Sequence, residues 1–364
     1  MRYAVTIAGG SGTRLWPMSR KDLPKQLIPF IHGRSLLQMT LERLEGLIPA
    51  SRRYVCAAAR HRAAIMAGLP GLTDEQFIGE PTGRDTLNAI ALSAAVIARH
   101  DPDAVIAVFT ADHLIQPIET FQAIVERGYK LAEHSDSTLV TFGIQPTVPS
   151  TGFGYLELGD SLDGGAFVVR QFREKPETEA AVQYFQAGPT RYLWNSGMFV
   201  WRASTLLDCV RRYEPGVYDQ LSVIAHAWDT PERDTVLAEL FPTLKKISVD
   251  YAIMEPASRD PMIQVAAIPM DLDWLDVGSW PMFARTCIHD EHGNSLAAHR
   301  HVLMDTARTL IASNEPNHLI TTIGCSDMVI IHTPDATLVC RADQAEAIKE
   351  LHKLVGEKYG LELL

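Results

Sequence analysis

The sequence predicts an α/β protein: a Rossmann-like, mixed but mostly parallel sheet with helices on both faces, followed by a small C-terminal β-rich domain. Three observations carry this expectation. Short apolar runs rich in β-branched residues alternate with helical patterns up to about residue 144. A glycine-rich loop follows the first run. After about Thr147 the rhythm changes to paired β runs, and near residues 288–301 a polar, His-rich stretch marks a composition break.

Residues 3–8 (YAVTIA) form a short apolar run that ends at a glycine loop, and it reads as a buried strand. Residues 35–47 (SLLQMTLERLEGL) place Ser35 three residues before Gln38, a capping box ahead of a helical pattern. Residues 53–58 read as the second strand, 85–100 as a mostly buried helix, and 105–110 (VIAVFT) as a third strand. A helix over 118–133 and a strand over 138–144 continue the alternation. Residues 153–158 and 167–172 flank Asp163-Gly164-Gly165, which predicts an antiparallel ribbon around a glycine turn. Helices are expected at 177–187 and 204–213. The small domain holds β-type runs at 328–332 and 337–340, and a closing helix over 343–359 with Gly360 at its end. No clear tandem repeat stands out, but the β runs are short enough for a partial β-helix. The domain division expected is 1–287 and 288–364.

The chain has 364 residues, 33 Lys or Arg against 44 Asp or Glu, and a net charge of −11. Its 46% hydrophobic and 21% charged residues exclude disordered, collagen-like and coiled-coil classes. The negative balance argues against nucleic acid or anionic membrane as partners, so phosphate chemistry needs a local positive site. The five cysteines are scattered without a CxxC pair, which fits a reducing cytoplasm. The N-terminus lacks a signal-peptide pattern, and no apolar run is long enough to span a membrane. His289, His292, His299 and His301 lie near Cys287, but no cysteine pair accompanies them, and they read as a polar interdomain segment rather than zinc ligands.

The loop Ala8-Gly9-Gly10-Ser11-Gly12-Thr13-Arg14 exposes amide donors and lets the backbone approach a ligand. It is neither a Walker A motif nor a clean dinucleotide fingerprint, because Leu15 stands where a third glycine is needed. Arg14, Arg20, Lys21 and Lys25 face only Asp22 in residues 11–26, a positive patch in an acidic chain. Asp112 stands just past the carboxyl end of 105–110, where ligands bind in open α/β sheets, although a lone Asp there often caps a helix.

Gly9-Gly10-Ser11-Gly12-Thr13-Arg14-Leu15-Trp16-Pro17, followed by Pro24-Lys25-Gln26, resembles the signature of the sugar-nucleotidyltransferases, in the Leu-Trp-Pro form of the mannose-1-phosphate guanylyltransferase branch. Further motifs follow in the family's order: Glu80-Pro81, Arg84 with Thr86, Ala111-Asp112-His113, Gly152-Phe153-Gly154-Tyr155 and Phe172-Arg173-Glu174-Lys175-Pro176. Trp194-Asn195-Ser196-Gly197-Met198-Phe199, Asp250-Tyr251-Ala252-Ile253-Met254-Glu255 and Asp276-Val277-Gly278-Ser279-Trp280 complete the set.

The resemblance implies Mg²⁺-dependent transfer of a nucleotidyl group from GTP to α-D-mannose 1-phosphate, giving GDP-mannose and pyrophosphate. Two anions must meet in such a reaction, so cations and amide dipoles carry the catalysis. By resemblance Arg14 and Lys25 hold the triphosphate, with Ala8, Gly9, Gly10, Gly12, Thr13, Pro81, Arg84, Asp85 and Thr86 around the nucleotide. Asp112 and Asp276 are the implied metal ligands, and Gly154, Glu174, Lys175 and Asn195 the implied sugar-phosphate site. The C-terminal run resembles the small left-handed β-helix appendix of the family, without the isomerase domain of longer relatives. A cytoplasmic homo-oligomer, a dimer, is expected.

The chain departs from the branch at Arg84-Asp85-Thr86-Leu87-Asn88-Ala89, where the usual form is Arg-Asn-Thr-Ala-Pro-Ala. Asp85 could accept from guanine N1–H and N2–H₂, or it could cap the helix that begins there. The departure leaves another base or hexose as an alternative. A non-catalytic sugar-nucleotide-sensing subunit is the other, but it should lack Arg14, Lys25 or one metal Asp, and this chain has all of them.

Overall fold

The computed structural model describes residues 1–10, 12–29, 31 and 33–364. Ser11 of the glycine loop lies outside the described residues. The chain forms two compact units that are not contiguous in sequence. The first holds Met1–Gly9, Thr40–Ala111 and Ile115–Trp274, and the second holds Gly10–Met39, Asp112–Leu114 and Leu275–Leu364. By spatial contact, then, the division falls ahead of Leu275, and the second unit also takes in the glycine loop and the Asp112 segment.

The first unit is built on a nine-stranded sheet. Its order is Phe77–Glu80, Arg53–Ala58, Arg2–Ala8, Val105–Thr110, Tyr192–Arg202, Thr138–Ile144, Gln264–Met270, Ala166–Arg173 and Tyr155–Leu162. The first four run parallel. Tyr192–Arg202 runs antiparallel to both neighbours, and Gln264–Met270 is parallel to Thr138–Ile144. Tyr155–Leu162 and Ala166–Arg173 form the expected antiparallel ribbon, with Gly164 and Gly165 at positive φ in its turn.

The central strands are largely apolar because each face has its own cover, while the edge ribbon Tyr155–Leu162 and Ala166–Arg173 carries exposed polar residues. Along Val105–Thr110, Ile106 and Val108 join one core with the helix Asp85–His100, while Val105, Ala107 and Phe109 join another with Ile118–His134. Tyr192–Arg202 alternates likewise, with Phe199 and Trp201 on one face and Met198 and Val200 on the other.

The second unit packs Leu15, Trp16, Leu36, Trp280 and Phe283 with Leu310, Val329 and Ile331. Trp280 Nε1 donates to the Trp16 carbonyl at 3.0 Å. The capping box at Ser35 forms: Ser35 N–H donates to Gln38 Oε1 at 2.8 Å, and Gln38 N–H to Ser35 Oγ at 3.2 Å. Ser295–Ala297, Leu310–Ser313 and Met328–His332 stack as parallel ladders, and Arg300–Met304 pairs in parallel with Leu319–Ile323. Leu310 lies opposite Val329 and Arg300 opposite Leu319, each an offset of 19 residues, while the first coil is shorter, with Ser295 opposite Leu310. That is the geometry of a short β-helix, closed by the helix Ile348–Tyr359. No helix among the described residues is long and apolar enough to cross a membrane.

Candidate active site

In the second unit, the glycine loop and Lys25 are fitted to each other. Gly12 has φ +61, and a Cβ placed there would lie 3.0 Å from Lys25 Cβ and 3.1 Å from Lys25 N. Glycine is therefore needed for close approach as well as for a left-handed backbone. Gly10 has φ +93 and open space around it, which leaves its backbone accessible. Thr13 opens a short 3-10 turn that carries Arg14. Ala8 and Gly9, at the end of the first strand, belong to the first unit.

The buried Lys25 ammonium lies 2.9 Å from Asp112 Oδ2 and 3.8 Å from Asp276 Oδ1, and it donates to the Val277 carbonyl at 3.1 Å. Burial opposes its charge, but Asp112 and Asp276 outweigh that and hold it protonated above the usual lysine range. Burial also opposes ionisation of Asp112, yet Lys25 and His113 bring its carboxyl down to about 2. Asp276 moves the other way: burial, then the charge of Asp112, raise it. Two carboxylates are thus served by one ammonium, and the buried Asp276 Oδ1 accepts no hydrogen bond.

A cation would relieve that imbalance. Asp112, His113 and Asp276 each offer a ligand atom, all within 4.8 Å of one another, so the group could hold a divalent metal. His113 is buried beside Asp112, with Nε2 3.8 Å from Asp112 Oδ1. Sequence reasoning passed over it, though it is the third residue of the Ala111-Asp112-His113 motif. Arg14 is exposed and pairs with Glu346 at 3.2 Å. Its charge is nonetheless felt at both Lys25 and Asp276.

In the first unit, the four residues expected around the sugar phosphate converge. Asn195 N–H donates to the Gly154 carbonyl at 2.8 Å. A Cβ on Gly154 would meet Glu174 Oε2 at 2.5 Å, so only glycine lets the Glu174 carboxylate sit there. Glu174 is buried, and its Oε1 accepts from Lys175 Nζ at 2.7 Å. Lys175 reaches back through a left-handed backbone, φ +41, which costs a non-glycine residue energy and is a common mark of functional positions. The Asn195 side chain is held at both ends. Thr141 Oγ1 donates to its Oδ1 at 2.7 Å, and its Nδ2 donates to Asp250 Oδ1 at 2.9 Å. Burial and then Glu174 push the Asp250 carboxyl up to about 7. Asp250 opens a π-helical turn, Asp250–Met254.

The segment expected beside the base follows the strand Phe77–Glu80. Pro81 is exposed, and Arg84 is partly buried with its Nε lacking a hydrogen-bond partner. Asp85 is exposed, stands at φ +68, and accepts from the Thr86 N–H at 2.8 Å. A cap reaches the second or third amide of its helix, whereas Asp85 reaches only the amide directly after it, and Arg84 at the N-cap position makes no side-chain cap bond. Thr86 Oγ1 accepts from Val249 N–H at 3.0 Å, and Asn88 Nδ2 donates to the carbonyls of Arg84 and Lys245 at 2.6 and 2.8 Å. The departed motif thereby clamps the segment that leads into Asp250. Glu80, also buried and quoted in the Glu80-Pro81 motif without a role, has its carboxyl raised to about 7 by burial and then by Asp85.

Residues 3–292 match the family model described as Nucleotidyl transferase, and residues 299–354 the one described as MannoseP isomerase/GMP-like beta-helix domain. The chain is 36% identical to the mannose-1-phosphate guanylyltransferase of Escherichia coli K12, over 96% of this chain and 72% of that protein. It is also 36% identical to the xanthan biosynthesis protein XanB of Xanthomonas campestris, over 95% of this chain and 72% of that protein. A crystal structure described as a mannose-1-phosphate geranyltransferase, from Thermus thermophilus, aligns with a TM-score of 0.84 at 31% identity, covering 97% of this chain and 99% of that one. The chain belongs to the nucleotidyl transferase family, in its mannose-1-phosphate guanylyltransferase group.

Proposed function

We propose that this enzyme transfers the guanylyl group of GTP to α-D-mannose 1-phosphate, with Mg²⁺, releasing pyrophosphate and GDP-mannose. A phosphate oxygen of the sugar phosphate attacks the α-phosphorus of GTP. The new P–O bond forms as the bond to the bridging β-phosphate oxygen breaks, and that oxygen leaves with pyrophosphate. The observation that carries the reading is the buried Lys25 ammonium shared by Asp112 and Asp276. A triphosphate needs fixed positive charge at the reacting phosphorus, and a preorganised ammonium supplies it without reorganising during the reaction.

Asp112 and Asp276 would hold the magnesium ion, whose chemistry is to neutralise phosphate charge. The open Gly10 backbone and Gly12 support a role for the loop amides against the phosphates. Arg14, exposed and held only by a surface carboxylate, can exchange Glu346 for a phosphate at little cost. Glu174 accepts from sugar hydroxyls, while Lys175 has three donors and can bind Glu174 and the sugar's phosphate together. For the base, the exposure of Asp85 and its bond to Thr86 N–H support a local role at the helix start over a buried guanine-reading one.

The test is a panel of GTP, ATP, UTP and dTTP against mannose 1-phosphate and glucose 1-phosphate, followed by pyrophosphate release. GTP with mannose 1-phosphate is expected to give the highest kcat/KM. A higher value for another base or hexose overturns that part of the reading, and no pyrophosphate with any pair overturns the enzyme reading.

A further inference from the structure

Asp250 and Asn195 are bound to each other in the sugar cluster, and the role proposed for Asn195 depends on which way its amide faces. An amide's two ends look alike in shape but differ in chemistry: one accepts and the other donates. Here the Thr141 hydroxyl, fully buried, marks the accepting end, and Asp250 marks the donating end. Thr141 Oγ1 also lies 3.1 Å from the Met198 carbonyl, so its proton has a second acceptor and its grip on Asn195 is divided. Asp250 Oδ1, which accepts from Asn195 Nδ2, is therefore the partner that holds the donating end of the amide in place.

Asp250 is itself held firmly. The clamp from Thr86 and Asn88 fixes the residues just before it. Leu87 N–H adds a bond to the Ile247 carbonyl at 3.3 Å. The groups that act on its carboxylate are Glu174, Lys175 and Asp85. Keeping two carboxylates, Glu174 and Asp250, near one ammonium is unfavourable in the folded protein, and burial raises the cost further. A residue kept at such a cost in a substrate cluster points to a task there.

We propose that Asp250 is a positioning residue for the sugar phosphate, acting through Asn195: it fixes the amide so that one face of Asn195 presents a defined hydrogen-bonding edge to the sugar hydroxyls. This rests on Gly154, Glu174, Lys175 and Asn195 being the sugar site, as read above.

The experiment is a double-mutant cycle on the full chain, with KM for mannose 1-phosphate and for GTP, kcat and Tm measured for Asp250→Ala, Asp250→Asn, Asn195→Ala and the double Ala variant. Asp250→Ala should raise KM for mannose 1-phosphate by about tenfold or more, the loss of a charged hydrogen bond, and leave KM for GTP unchanged. Asp250→Asn keeps an accepting oxygen and should recover most of that loss. In the Asn195→Ala background the Asp250→Ala effect should vanish, because the two act as one unit. An unchanged sugar-phosphate KM in Asp250→Ala overturns the proposal, and so does an equal loss with and without Asn195. Equal loss for GTP and sugar phosphate, or no recovery in Asp250→Asn, overturns it as well. Glu174→Gln serves as the control on the underlying reading. If it leaves the sugar-phosphate KM unchanged, the sugar-site assignment itself fails; if it raises that KM and Asp250→Ala does not, only the role of Asp250 fails.

Discussion

The two charged clusters of this enzyme are finished to different degrees. In the first unit, Asn195 is bonded at its backbone amide and at both ends of its side chain, and Glu174 already has its lysine. In the second unit, Lys25 is shared by two carboxylates, and Asp276 Oδ1 is buried without a hydrogen bond. The contrast fits the two roles proposed for the clusters. Neutral hydroxyls need acceptors and donors fixed in advance, since a misdirected amide costs a hydrogen bond. A metal ion brings positive charge of its own, so the site proposed for it can carry an excess of carboxylate that the ion cancels.

The comparison breaks most clearly at Lys25. Lys25→Ala removes one preorganised cation and should cost about 3–4 kcal/mol of transition-state stabilisation, seen in kcat rather than in sugar affinity. If only the sugar-phosphate KM rises, Lys25 belongs with the sugar cluster and the contrast collapses. Asp276→Asn should abolish turnover while the thermal melt stays near wild type, because it also removes the repulsion from Asp112. Near-normal Mg²⁺-dependent activity in that variant would remove Asp276 from the metal set. EDTA should stop the wild type.

Glu174→Gln tests the other cluster. It keeps the shape but replaces an accepting oxygen with a donor, which should cost about 1.5–3 kcal/mol per charged hydrogen bond to the sugar. The loss should fall on mannose 1-phosphate and spare GTP. Equal weakening of both substrates would contradict the assignment.

A smaller effect is expected at Glu80, and it depends on pH. Burial, then Asp85, raises its carboxyl to about 7 in the folded protein, against 4.5 as the ordinary value. The folded state therefore holds a proton that the unfolded state has released. Its contribution to stability is present below pH 4.5 and is lost as pH rises through about 7. Glu80→Gln imitates the protonated form, so its advantage over wild type should be near zero at the acid end and grow to on the order of 2 kcal/mol by pH 8.5. Chemical denaturation at several pH values measures it. A constant difference across that range would show that Glu80 does not titrate in this window.

Much of the fold was legible because it is written in local pattern. Residues 53–58, 85–100, 105–110 and 138–144 appear as expected, since strands covered on both faces and a buried helix leave continuous apolar runs. The antiparallel course of Tyr192–Arg202 was not legible, because direction is set by partners far away in sequence. The 19-residue coil was hidden for a related reason. What repeats there is backbone pairing and inward burial, as at Leu310 and Val329, while the residues themselves change. At the candidate site, the motif residues Gly154, Glu174, Lys175 and Asn195 do meet, as do Lys25, Asp112 and Asp276. Asp250 and His113 stood inside quoted motifs without a role, and only their contacts give them one. The noncontiguous second unit could not be read at all, since nothing in residues 10–39 announces that they pack with residues beyond 275.

The smallest effect is expected at Asp85, where the chain leaves its family's pattern. Its carboxylate is exposed, accepts from Thr86 N–H, and sits on a backbone with φ +68. Asp tolerates that left-handed conformation better than most residues, because its short side chain can bond locally. Asp85→Ala loses both the bond and the tolerance, and should cost about 1 kcal/mol of stability. Asp85→Gly loses the bond but suits the backbone, and should cost only a few tenths of a kcal/mol. Asp85→Asn keeps an accepting oxygen and should lie nearest wild type. If Asp85 instead reads guanine, the order changes. Asn would then be the damaging substitution, because one oxygen of the pair becomes a donor facing a donor, and the GTP:ATP ratio of kcat/KM should fall. Three variants, one melt each and two nucleotides therefore separate a residue that shapes a helix start from one that chooses the base.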